Sequence, residues 1–164
     1  MEGASNSSSS SSNSSSSTIG VVSLSRDGNI AVVILGDPSE KAVILDAKRL
    51  NSLSAVIDRI SEDSTYSGVI FTGISEGMFC AGADISIIGS IVDERDGASL
   101  ARQGQDVFNK IEALDIPTIA AISGPCVGGG CELALACDHR IITAHPKSRI
   151  GLPEVSLGIL PGFG

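Results

Sequence analysis

Apolar and polar positions in this chain follow two periods, one near two residues and one near three and a half. The runs Ile19-Gly20-Val21-Val22-Ser23-Leu24 and Ile30-Ala31-Val32-Val33-Ile34-Leu35 are β-rich. The Arg26-Asp27-Gly28-Asn29 stretch between them is a hairpin signal. Behind Asp46, a candidate N-cap, Leu50, Leu53, Val56, Ile57 and Ile60 recur at helical spacing. Gly68-Val69-Ile70-Phe71-Thr72 predicts a short buried strand. A second amphipathic helix is predicted over about 98–114, with Leu100, Val107, Phe108, Ile111 and Leu114 on one face. Pro117 closes it and leads into the strand Thr118-Ile119-Ala120-Ala121-Ile122. A short buried helix over Cys131-Glu132-Leu133-Ala134-Leu135-Ala136-Cys137 and a strand over Arg140-Ile141-Ile142-Thr143 complete the order. Strands alternating with helices predict an α/β domain with parallel pairing.

Composition changes this picture at the start of the chain. Residues 5–17 are all serine or asparagine, and a segment with nothing apolar to bury cannot offset its ordering entropy. Residues 1–18 are therefore expected to be a disordered tail. It has neither the apolar core of a secretory signal nor the arginines of a mitochondrial presequence. Residues 19–164 are read as one domain, without repeats or an internal linker. The ending Leu160-Pro161-Gly162-Phe163-Gly164 is an awkward terminus, so the chain is expected to be a piece of something longer.

A net charge of −8 supplies no basic stripe for phosphates and argues against a nucleic-acid partner. No apolar run is long enough to span a bilayer, so a soluble intracellular protein is expected. Cys80, Cys126, Cys131 and Cys137 form no CxxC pair, and only His139 and His145 could join them. Buried thiols in a reducing compartment and no metal site are the expectation.

Three segments carry candidate chemistry. In Gly77-Met78-Phe79-Cys80-Ala81-Gly82-Ala83-Asp84-Ile85, small residues let the main chain face a ligand, and Asp84 could instead cap a following helix. In Gly124-Pro125-Cys126-Val127-Gly128-Gly129-Gly130-Cys131-Glu132, three glycines open one stretch of backbone at a helix start. No lysine or hydroxyl follows them, so this is not a phosphate loop, and no dinucleotide fingerprint is present either. Glu132 in the first helical turn could merely complement the helix dipole. Burying a carboxylate in so apolar a run for that alone is expensive, and burial helps such a group exchange protons near neutral pH. In Arg149-Ile150-Gly151-Leu152-Pro153-Glu154-Val155, the proline would hold Glu154 on a rigid loop. Taken singly, Glu154 reads as a solvent-facing or capping residue.

Together and in this order, the three segments resemble the crotonase (enoyl-CoA hydratase/isomerase) superfamily. Leu157-Gly158 and Pro161-Gly162 belong to that match, and Ala101-Arg102-Gln103-Gly104-Gln105, Glu132-Leu133-Ala134-Leu135-Ala136-Cys137 and Gly151-Leu152-Pro153-Glu154 most resemble the hydratase domain of multifunctional fatty-acid oxidation α-subunits. The resemblance implies a crotonase-type spiral of ββα units whose C-terminal helical part is missing here. It implies an enoyl-CoA hydratase adding water to a trans-2-enoyl-CoA to give a 3-hydroxyacyl-CoA in β-oxidation. A 3-enoyl to 2-enoyl isomerase activity stays open beside it. The resemblance puts the two catalytic carboxylates at Glu132 and Glu154, and the oxyanion donors at the Ala83 and Gly129 amides. Coenzyme A, part of the substrate rather than a cofactor, would lie along Lys41 and Ala42 and along Ala81, Ala83, Asp84, Ile85 and Ser86. Val43 stands where many members carry asparagine, which leaves the adenine-side geometry open. The parent protein is expected to be a homotrimer or hexamer, or part of a fatty-acid oxidation complex. Its compartment would be the cytoplasm of a bacterium, or the mitochondrion or peroxisome of a eukaryote. The alternative is a truncated, non-catalytic fragment that binds acyl-CoA weakly or only assembles.

Overall fold

A computed structural model describes residues 16–84, 89 and 91–163. The expected tail over residues 1–15, and the coenzyme A contacts expected of Ile85 and Ser86, lie outside the described residues. So does the segment that Asp84 was to cap.

Six strands form the main sheet, in the order β1-β2-β3-β4-β5-β7. They are β1 (Ser16–Ile19), β2 (Val22–Asp27), β3 (Ile30–Ile34), β4 (Gly68–Thr72), β5 (Thr118–Ile122) and β7 (His139–Ile142). The first three are antiparallel, and the β3/β4, β4/β5 and β5/β7 pairs are parallel. A second, two-stranded parallel sheet joins β6 (Pro125–Val127) to β8 (Arg149–Gly151). The helices are α1 (Ala47–Ser61), α2 (Glu94–Glu112) and α3 (Gly129–Leu135), and a 3-10 turn spans Pro153–Leu157.

Two expectations need correction at the N-terminal edge. Ser16, Ser17 and Thr18 were placed in the tail, yet they pair with Ser25, Leu24 and Ser23 as the outer strand β1. Backbone hydrogen bonds to an existing edge can order polar residues that bury nothing themselves. The run 19–24 is not one strand but two, because Gly20 turns the chain at φ 63°. Helix α2 also starts earlier than expected, since Asp93 caps it by accepting the Arg95 and Asp96 amides.

The core lies between the sheet and the α1/α2 pair. Leu50, Leu53, Val56, Ile57 and Ile60 of α1 are buried, as their spacing requires, against Val107, Phe108 and Ile111 of α2. Asp46 caps α1 by accepting the Arg49 amide at 2.7 Å. Strands β3 and β5 alternate buried and half-buried positions, so the sheet buries one face more fully than the other. All four residues of β7 are exposed. Among the described residues, no helix is long and apolar enough to cross a membrane.

The parallel order brings the C-terminal ends of β4 and β5 side by side. The chain leaves β4 into the 73–84 turn and leaves β5 into the 123–128 turn. Cys80 N donates to Pro125 O at 2.8 Å, and Val127 N donates to Cys80 O at 3.2 Å. These two bonds fix the glycine-rich turns against each other.

Candidate active site

Gly82 (φ 95°) and Gly128 (φ 54°) adopt backbone states that residues with a Cβ rarely take. They also face one another. A Cβ at Gly82 would lie 2.8 Å from Val127 O and 3.6 Å from the Gly129 amide nitrogen. One at Gly128 would lie 3.7 Å from Gly82 Cα and 2.7 Å from Glu154 Oε1. Two bare stretches of backbone and one carboxylate therefore share a single crowded spot. Gly128 O accepts the Cys131 and Glu132 amides, which starts α3 directly at the turn. The Ala83 and Gly129 amides donate to no acceptor among the described residues.

Both glutamates are buried, Glu132 at 5% exposure and Glu154 at 9%. Glu132 points from the first turn of α3, and its Oε1 accepts the Phe163 amide at 2.7 Å. Glu154 sits in the 3-10 turn behind Pro153, where the proline's fixed φ starts the turn. Its Oε2 is buried with no hydrogen-bond partner among the described residues. Read singly as solvent-facing or capping, Glu154 proves to be neither. Its burial comes from Gly128, which leaves room for the carboxylate to lie on the main chain.

A cavity of about 190 Å³ joins these groups. Ala83, Gly129, Glu132 and Glu154 line it together, with an apolar wall that includes Leu100, Ile159 and Phe163. Ala81, Gly82 and Gly128 flank the Glu154 side. Of the residues expected to meet coenzyme A, Ala81 is exposed, and Ala83 and Asp84 are half-buried at this turn. Lys41 is exposed and Ala42 half-buried, and neither lines the cavity. They sit on the loop whose next residues hold the turn, since Ala81 N donates to Val43 O and Leu45 N donates to Gly82 O, both at 2.8 Å. Sequence reasoning missed Phe163, which touches the candidate carboxylate through its backbone. An amide contact leaves no signature in residue type, although the Pro161-Gly162 pair before it was visible.

The thiols stay out of this chemistry. All four cysteines are buried and free. Burial pushes Cys80 up to about 11 and Cys126 and Cys137 up to about 12. Burial also raises Cys131, with the Glu132 and Glu154 carboxylates adding to the effect.

An α/β scaffold that brings to one cavity two buried carboxylates and two main-chain amides without partners among the described residues has the architecture of the crotonase fold. The chain belongs to the enoyl-CoA hydratase/isomerase family, whose model matches residues 25–164. It is similar to an enoyl-CoA hydratase of Geobacillus kaustophilus HTA426, at 32% identity and a TM-score of 0.84 over 93% of this chain and 56% of that one. An enoyl-CoA hydratase of Bacillus anthracis matches at 33% identity and a TM-score of 0.78, over 87% and 54% of the two chains. DspI of Pseudomonas aeruginosa matches at 28% identity and a TM-score of 0.80, over 94% and 60%. The chain thus spans little more than half the length of these solved relatives.

Proposed function

We propose that the parent protein hydrates trans-2-enoyl-CoA thioesters. The observation that carries this reading is the meeting of Glu132, Glu154 and the unpaired Ala83 and Gly129 amides around one cavity. Enoyl-CoA hydration develops negative charge on the thioester oxygen as water adds at C3 and the C2–C3 double bond gives up its electron pair. Two amides held at that oxygen lower the barrier, and losing one such donor typically costs about 3–4 kcal/mol. The Ala83 and Gly129 N–H groups take that role.

The two carboxylates divide the proton work. Glu132 accepts an N–H from Phe163, which fixes one carboxylate oxygen at the cavity wall and suits the side chain to activate the water. Glu154 keeps one buried oxygen free for the ligand and serves C2 with the proton. Coenzyme A is recognised as part of the substrate, around Lys41 and Ala42 and along Ala81, Ala83 and Asp84. Nothing in this scheme calls for a separate cofactor or metal. The parent is proposed to work as a homotrimer or hexamer, or within a fatty-acid oxidation complex.

The test is loss of the conjugated thioester absorbance of trans-2-butenoyl-CoA. Glu132→Gln and Glu154→Gln should each lower kcat by about 10²–10⁴-fold. Hydration persisting in the Glu132→Ala, Glu154→Ala double variant would remove both residues from the mechanism. A second reading, a chain that binds acyl-CoA without turnover, is favoured by one fact: the chain covers only 54–56% of the two hydratases it resembles. Calorimetric binding of the acyl-CoA with no hydration by the wild-type chain would select it.

A further inference from the structure

The peptide unit between Gly162 and Phe163 is held at both ends. Its carbonyl accepts Gln105 Nε2 at 2.9 Å, and its N–H donates to Glu132 Oε1 at 2.7 Å. Because a trans peptide is planar, its C=O and N–H point in opposite directions as one rigid body. Fixing the carbonyl from one side therefore aims the amide on the other. A hydrogen bond at the carbonyl also polarises the unit and strengthens its N–H as a donor.

The side chain of Phe163 locks the same unit. Its ring lies in a notch at Gly104, where any Cβ would overlap it. The ring meets Phe108 edge-on at a centroid distance of 5.7 Å. A Cβ on Gly129 would lie 3.0 Å from the ring's other edge. Helix α2 thus grips residues 162–163 through Gly104, Gln105 and Phe108. Packing alone would be served by the ring. The half-buried amide of Gln105 adds a bond that fixes only the orientation of the peptide.

We propose that Gln105 is a positioning residue, which sets the Glu132 carboxylate through the Gly162–Phe163 peptide, with Gly104 providing the notch that makes this possible. The inference rests on the hydratase reading for its catalytic consequence, though not for its geometry. Gln105→Met keeps the side chain's length and removes its donor, and Gly104→Ala attacks the same peptide through the ring. The first measurement is the Phe163 amide proton by NMR across pH in the wild-type chain and both variants. In the wild type it should titrate with Glu132, a response abolished by Glu132→Gln. In both variants it should move upfield, with the titration midpoint raised, because a weakened N–H bond stabilises the carboxylate less. The second is steady-state hydration. Each variant should lose about 10- to 100-fold in kcat with little change in KM, and its acid limb should move to higher pH. The Gln105→Met loss should vanish in a Glu132→Gln background. An unmoved Phe163 amide in a folded Gln105→Met protein overturns the inference, as does additive loss with Glu132→Gln. Should Gln105→Met fail to fold, an unmoved amide in Gly104→Ala overturns it instead. An inactive wild type whose Phe163 amide still responds as stated would refute the hydratase reading and leave the positioning intact.

Discussion

The chain buries four thiols and the two candidate carboxylates, and it uses these buried groups in opposite ways. A thiol buried among Val, Leu and Phe behaves as a small hydrophobe, and burial raises its pKa by penalising the thiolate. Cys80 at about 11 and Cys126 and Cys137 at about 12 stand above the ordinary 9.0. The folded state therefore holds protons that the unfolded chain releases. That contribution to stability is complete below pH 9, and it is lost as pH rises through the folded values of about 11–12. Melting temperature should accordingly hold level from pH 7 to about 9 and fall above it. Dithiobis-nitrobenzoate at pH 8 should find no reactive thiol in the native chain and four in urea. Rapid modification of even one native thiol would contradict this account. The carboxylates, by contrast, are buried where a cavity gives them a reason to be. Glu154 Oε2 has no protein partner among the described residues, and a buried polar atom of this kind is satisfied by ordered water or a bound molecule.

At the scale of elements, the 36–46 loop and α1 act as a template for the turn over residues 81–84, and one side chain holds them. Arg49 is 5% exposed. Its guanidinium donates to Ile44 O at 3.1 Å, to Leu35 O at 3.2 Å and to Glu40 Oε2. The segment it fixes presents Val43 O and Leu45 N to the Ala81–Ala83 turn. Removing one partner of a buried ion pair leaves the other uncompensated. Glu40 is partly solvated, with 27% of its side chain exposed, which puts Arg49→Ala at about 3 kcal/mol, the lower end of the usual cost. Arg49→Lys should recover only part of this, because an ammonium cannot reproduce a planar fork aimed at three acceptors. Urea denaturation measures both, and a loss under about 1 kcal/mol for Arg49→Ala would show the clamp to be slack. This clamp was not legible in the sequence. The Asp46 cap and the apolar stripe of α1 were, because they are local patterns. An arginine beside Lys48 reads as solvated, and its burial is decided by a carbonyl 14 residues upstream. The same limit hid the β6/β8 pair and the burial of Glu154. Strands of three residues carry almost no period, and the fit of Glu154 onto Gly128 exists only after folding. The β2/β3 hairpin, β4, β5 and α3 were readable because each announces itself within a few residues.

The whole molecule carries two opposed surface features. Of the eleven large apolar side chains exposed among the described residues, eight lie between Leu135 and Leu160. They include Ile141 and Ile142 on β7, at the end of the main sheet, and Val155 in the turn that carries Glu154. An apolar terminal strand with an open edge favours association with another chain. The net charge of −8 opposes it, because like-charged copies repel and that repulsion has long range only at low salt. The balance should therefore depend on ionic strength. At about 10 mM salt, where the screening length is about 30 Å, the 164-residue chain should sediment mainly as a monomer. At about 0.15 M that length falls to about 8 Å, and sedimentation should show reversible association with increased binding of an anilinonaphthalene dye at low protein concentration. Ile141→Lys with Val155→Glu leaves the net charge unchanged and removes two of these exposed apolar side chains, so it should suppress the salt-induced association while preserving the melting temperature. Equal association of wild type and double variant at every salt concentration would mean that a different surface brings the copies together.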